Sequence, residues 1–144
     1  MTTVRNILQA KENQVVSVSP ETLVSTALEM MAEKNIGALV VTKDGALAGI
    51  FSERDFARKT VSKGRLAYDS VVQDLMTSIV FTVAPTQSID ECMAVMTAKR
   101  IRHLPVLENQ KLIGVVSIGD IVKAVISEKE QLIAQLENYI TGAR

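Results

Sequence analysis

Gly49-Ile50-Phe51-Ser52-Glu53-Arg54-Asp55 and Gly114-Val115-Val116-Ser117-Ile118-Gly119-Asp120 carry one pattern twice: a glycine, two apolar residues, a serine, and an aspartate one turn later. Each copy closes a short apolar run and opens a stretch of helical spacing, so each reads as a strand-to-helix junction. First-turn N–H groups at such a junction point outward with partial positive charge, which makes a ready anion site. A hydroxyl there can donate to a phosphate oxygen. A carboxylate one turn on can accept two hydrogen bonds, which suits a ribose diol. The same spacing is also a variant of the capping box, in which Ser and Asp only satisfy helix-end N–H groups. Ser127-x-x-Glu130 shows how cheaply that spacing arises. The recurrence of Gly, Ser and Asp together is what sets the first two copies apart.

The register extends outward from these blocks. At a shift of 65 residues the chain aligns with itself without a gap from Val18 to Arg58, with eleven identities in 41 positions. Among them are Val18/Val83, Pro20/Pro85, Met31/Met96, Ile36/Ile101, Leu39/Leu104 and Val41/Val106. Chance does not give that agreement, and the chain is a tandem duplication. Each copy starts with a β run (Val15–Val18; Ile79–Val83) that stops at Ser19-Pro20 or Ala84-Pro85, with Pro expected in the first turn of a helix. Leu23, Ala27, Met30, Met31 and Ile89, Met93, Met96 then follow helical spacing. Two β runs come next, Gly37–Thr42 and Leu47–Phe51, joined by the hairpin signal Asp44-Gly45, with counterparts at Leu104–Leu107 and Leu112–Val116. A second helix starts at Ser52 or Ser117.

Each unit is thus β-α-β-β-α, too small to bury both faces of its sheet alone. The fold class is α+β, with two repeats related by a pseudo-two-fold axis, residues 1–66 and 67–144, joined by the polar stretch Ser62–Tyr68. The last helix is expected to run on to about Tyr139. Its stripe Ile126, Ile133 and Ile140 makes it a candidate contact in a homodimer, or simply a core-packed face.

Composition narrows the function. Sixteen basic and sixteen acidic residues cancel, against a polyanion binder, and five aromatics with no Trp make a poor base-stacking platform. No nucleic acid partner is expected. One Cys and one His cannot assemble a Cys/His zinc set, so no metal is expected. Cys92 aligns with Ala27 and reads as a small core residue. No apolar run is long enough to span a membrane and no secretory pattern opens the chain, so a soluble, cytoplasmic protein is expected.

Charge breaks the symmetry at one place. Arg100-Ile101-Arg102-His103-Leu104-Pro105-Val106 stands where the first copy has Asn35-Ile36-Gly37-Ala38-Leu39-Val40-Val41. Arg102 and His103 either face a ligand or flank a strand at the surface. A general-base role for His103 toward Ser52 or Ser117 lacks a third orienting group, which argues against a small hydrolase.

The h-x-x-h-P-V block before the hairpin and G-h-h-S-x-x-D after it resemble the CBS domain, and two in tandem resemble a CBS pair, or Bateman module. The resemblance runs from Val4 to about Ala124 and has the character of a stand-alone bacterial protein. It implies clefts between the repeats that bind adenosine-containing ligands: AMP, ADP, ATP, NAD(H) or S-adenosylmethionine. It assigns Asp120 to ribose and Ser117 to phosphate in one site, with Thr3, Leu8 and Ile36 around the adenine. The other would use Asp55 and Ser52, with Val71, Met76 and Ile101 around the base and Arg102 or His103 near phosphate. Arg54, inside the Ser-x-x-Asp loop, either clamps a phosphate or pairs with Asp55 and blocks the site. The resulting expectation is a non-catalytic regulatory module that senses energy or redox state. The alternative is a dimerisation or docking module with vestigial clefts that regulates a partner enzyme or transporter.

Overall fold

The computed structural model of the protein describes residues 1–11, 15–63 and 66–142. Their elements are α1 (Val4–Lys11), β1 (Ser17–Val18), α2 (Val24–Lys34), β2 (Ala38–Lys43), β3 (Ala46–Ser52) and α3 (Glu53–Lys63). They continue with α4 (Leu66–Asp69), α5 (Val72–Leu75), α6 (Ile89–Lys99), β4 (His103–Glu108), β5 (Lys111–Ser117) and α7 (Ile118–Thr141). Gly64 and Arg65, in the expected linker, lie outside the described residues; the rest of that stretch is largely helical rather than open loop.

The residues fall into two compact units, one drawn from Met1–Asn13, Thr82–Glu108 and Gly114–Arg144, the other from Gln14–Phe81 and Asn109–Ile113. The spatial division therefore differs from a cut at 66/67. The segment that precedes the first repeat belongs with the body of the second. The first unit's core holds Val4 and Ile7 of α1 with Val83, Ile89, Cys92, Met96, Leu104, Val106, Val116 and Ile121. The second unit's core holds Val18, Val24, Ala27, Met31, Leu39, Val41 and Phe51 with Ala67, Val72 and Leu75 from the stretch before the second repeat. Burial pushes the Cys92 thiol up, as expected of a small core residue.

In the second unit β1 runs parallel to β2, pairing Val18 with Val41, and β2 runs antiparallel to β3. The Asp44-Gly45 turn has φ of 52° and 80°, the two positive values a type I′ hairpin needs. β4 and β5 form the matching pair, and Asn109 and Gln110 between them take φ of 52° and 65° without any glycine. The run at 79–83 is shorter than its sequence suggests. It keeps one parallel bridge, Val83 to Val106, while Ile79 stands 80% exposed. Register survives nonetheless, because 18/41 and 83/106 are the same pair shifted by 65.

The prolines do not open helices. Thr22 N–H donates to the Ser19 carbonyl at 3.1 Å and Gln87 N–H to the Ala84 carbonyl at 3.1 Å, so each proline is the second residue of a turn. The helices begin four residues later, α2 at Val24 and α6 at Ile89. The second of these carries a full capping box, Ser88 with Glu91. Both helices end on a left-handed residue, Asn35 (φ 53°) and Arg100 (φ 55°), which explains part of the basic block as a helix terminus. Among the described residues no helix is long and apolar enough to cross a membrane.

Candidate functional site

Two Ser-x-x-Asp junctions, one in each unit, form the candidate site. In the first unit β5 delivers Ser117 to the N-cap of α7. Asp120 N–H donates to Ser117 Oγ at 3.2 Å and Ser117 N–H donates to Asp120 Oδ2 at 2.9 Å. In the second unit the same reciprocal pair joins Asp55 N–H to Ser52 Oγ at 3.0 Å and Ser52 N–H to Asp55 Oδ2 at 3.1 Å. Both junctions are capping boxes in geometry, so the capping role is met in each. Each serine hydroxyl accepts in its box. Ser127 and Glu130, by contrast, lie in the interior of α7 and cap nothing.

The strand before each junction carries a glycine because something must approach it. A Cβ on Gly114 would stand 2.5 Å from Leu8 Cδ2, and one on Gly49 would stand 2.7 Å from Met76 Sδ and 2.8 Å from the Thr77 carbonyl. Leu8 and Met76, both expected around an adenine, thus occupy corresponding places. Thr3 and Val71 correspond as well: Thr3 bridges to Ser88 and Val71 to Leu23.

The two carboxylates differ in their remaining partners. Lys11, at the end of α1, donates to Asp120 Oδ2 at 2.8 Å and to the Val115 carbonyl at 2.8 Å. Burial alone would push the Asp120 carboxyl up. The Lys11 ammonium and the Ser117 N–H and hydroxyl outweigh it, and hold the carboxyl below its ordinary value. Asp120 Oδ1 accepts no hydrogen bond among the described residues. Among the described residues no ammonium pairs with Asp55: its Oδ1 accepts from the Thr77 hydroxyl at 3.3 Å. The nearby cation Lys59 is committed to the Leu75 and Met76 carbonyls at 2.7 and 3.3 Å. Arg54 is exposed and forms no ion pair with Asp55, so the blocking contact weighed from sequence is not made.

Asp120 opens onto a cavity of about 300 Å³ in the first unit, lined also by Thr2, Asn6, Lys11, Lys123 and Ser127. That volume sits at the lower end of small-molecule sites. The sequence-derived residues divide between units. Thr3, Leu8, Ser117 and Asp120 share the first unit, and Ile36 belongs to the second. Ser52, Arg54, Asp55, Val71 and Met76 share the second unit, and Ile101, Arg102 and His103 belong to the first. Ile36 and Ile101 each pack partly on their own unit's core, Arg102 is exposed and His103 half-buried. Arg102 also lends its carbonyl to the Ile118 N–H at 2.9 Å, as Gly37 does for Glu53 at 3.0 Å. Sequence reasoning missed Lys11, Lys123 and Thr77. For Lys11 a signal existed: Val4, Ile7, Leu8 and Lys11 share one helical face. Among the described residues no group of three or more His, Cys, Asp or Glu side chains could hold a metal ion.

The model of the CBS domain matches the chain twice, over residues 4–62 and 72–127. The chain belongs to the CBS-domain family, as a tandem pair. Its sequence is 38% identical over 150 residues to the CBS domain-containing protein CBSX3, mitochondrial, of Arabidopsis thaliana, covering 98% of this chain and 73% of the relative. A putative signal-transduction protein with CBS domains from Burkholderia ambifaria has a solved structure of the same fold. It is 49% identical, with a TM-score of 0.83 over 88% of this chain and 95% of the other. The CBS pair of protein MJ0100, solved with 5′-methylthioadenosine and S-adenosyl-L-methionine, has a TM-score of 0.78 over 89% and 98% of the two chains. At 22% identity it speaks for the fold of this CBS pair and for no more.

Proposed function

We propose that this CBS pair is a non-catalytic regulatory module that binds an adenosine-containing ligand, AMP, ADP, ATP or NAD(H), at its Ser-x-x-Asp junctions. One observation carries the reading. Asp120, whose Oδ1 accepts no hydrogen bond among the described residues, lines a cavity that two ammonium-bearing side chains, Lys11 and Lys123, line as well. A ribose diol at the carboxylate and a phosphate at the cations answer both features. The adenosine ligands in MJ0100, a protein of the same fold, are in keeping with it. We assign Ser117, Asp120, Thr3 and Leu8 to one ligand. Ser52, Asp55, Val71 and Met76, with Arg54, are assigned to the other. The module works in the cytoplasm as a homodimer and reports the ligand to a partner protein by a change of shape. Such a change can be no larger than the ligand's differential affinity for two states.

A second reading draws on the capping geometry, which satisfies both Ser-Asp pairs with no ligand at all. On that reading the junctions are structural and the exposed face of α7 docks a partner. Mass spectrometry of nucleotide carried through purification, followed by calorimetry with AMP, ATP and NADH, separates the two. Saturable binding of any adenosine compound supports the first. Absence of binding at millimolar ligand leaves the second.

A further inference from the structure

Lys11 stands in an unusual position for a surface cation. Its ammonium is held on Asp120 Oδ2 at 2.8 Å and on the Val115 carbonyl at 2.8 Å, with only 24% of the side chain exposed. A ribose that uses both carboxylate oxygens must take the place Lys11 occupies on Oδ2. The displaced ammonium does not leave the site, because Lys11 lines the same cavity as Asp120, with Lys123 as a second cation. Its flexible four-carbon arm lets the charge relocate within that space. The arm is anchored from behind, since Thr2 N–H donates to Glu128 at 2.9 Å and fixes the other end of α1 on α7. In the first repeat the counterpart Asp55 has no such group among the described residues and is met by the Thr77 hydroxyl.

We propose that Lys11 is the residue by which the Ser117–Asp120 site selects phosphorylated adenosine ligands over adenosine itself, by guarding the ribose carboxylate until a phosphate takes its charge. An uncharged nucleoside displaces the ammonium from Asp120 and offers nothing in return. A nucleotide displaces it and supplies a stronger anion, to which Lys11 turns. This rests on the adenosine reading above, and it gives charge selection to the Asp120 site.

The test is calorimetric titration of adenosine and AMP into wild type, Lys11→Met and Lys11→Arg, with thermal melting to establish that each is folded. In wild type AMP binds more tightly than adenosine. In Lys11→Met adenosine binds more tightly than it does to wild type, while the preference for AMP over adenosine falls by about tenfold, the worth of one charged hydrogen bond. Lys11→Arg keeps the preference. Loss of adenosine and AMP affinity by the same factor in Lys11→Met would reduce Lys11 to a support for α1 and overturn the proposal. Binding of neither compound to wild type would instead remove the adenosine reading on which it stands.

Discussion

Asp120→Asn separates the two jobs assigned to this side chain. The amide keeps an oxygen for the Ser117 N–H, so the capping bond of 2.9 Å survives. What disappears is the negative charge facing Lys11 at 2.8 Å. A hydrogen bond between charged groups is worth roughly 1.5–3 kcal/mol, and partial exposure of both side chains lowers that to about 1–2 kcal/mol. For a chain of 144 residues the loss corresponds to a melting point roughly 3–7 °C lower. Asp120→Ala loses the cap as well, about 1 kcal/mol more. Thermal unfolding followed by circular dichroism should therefore rank wild type above Asp120→Asn above Asp120→Ala. The pH dependence has a fixed sign. The folded-state carboxyl titrates below its ordinary value, so its stabilising effect is complete above about pH 4 and is lost as pH falls through the folded value. The gap between wild type and Asp120→Asn should close in acid. AMP affinity should fall about tenfold or more in both variants, since neither offers two anionic oxygens to a ribose. Unchanged AMP affinity in both would refute the ribose role, and an equal stability loss in both would refute the separate cap.

Other substitutions test the frame around the site. Gly49→Ala should cost about 1–3 kcal/mol in chemical denaturation, because its Cβ meets the Thr77 backbone carbonyl, while Gly114→Ala should cost less because Leu8 can turn its methyls away. Arg100→Gly should stabilise by about 0.5–1 kcal/mol, since Arg100 holds φ 55° at the end of α6, and a loss of stability would show that its side chain makes a needed contact. Ile133→Glu should shift sedimentation toward monomer, because Ile126, Ile133 and Ile140 stand 53%, 54% and 81% exposed along α7; a monomeric wild type would end the dimer proposal.

The features legible in the sequence were those the duplication wrote twice. Gly49/Gly114, Ser52/Ser117 and Asp55/Asp120 fall at matching junctions, and the hairpin at Asp44-Gly45 has the turn its residues demand. Pro20 and Pro85 misled because proline at the second residue of a turn and at the first turn of a helix has the same fixed φ. Ile79–Val83 misled because apolar β-formers mark a strand only where a partner edge is present, and the run's parallel bridge is the one from Val83 to Val106. The second hairpin turn was invisible as a turn type, since Asn109 and Gln110 reach positive φ without glycine. Lys11 was missed for a different reason. It lies before the aligned repeat, and self-comparison at a single shift carries no information about it.

That last omission exposes how the two sites came to differ. The segments that precede the repeats correspond at a shift of 68, not 65. Ile89 N–H donates to the Thr2 carbonyl as Val24 N–H does to Ser70, and Val4 N–H donates to Gln87 as Val72 N–H does to Thr22. From that common start the two segments part after Leu8 and Met76. Gln9-Ala10-Lys11 are good helix formers, and α1 continues through them to bring an ammonium onto Asp120. Met76 instead turns extended, at φ −68° and ψ 161°, and Thr77 bridges to Ile50 and gives its hydroxyl to Asp55. One more turn of helix thus decides whether the carboxylate meets a cation or a neutral donor. The repeats supply two nearly identical Ser-x-x-Asp junctions, and the segments outside them set the charge. If ligand choice follows charge, exchanging Lys11 for a neutral residue should make the Asp120 site behave like the Asp55 site, whatever Arg102 and His103 contribute.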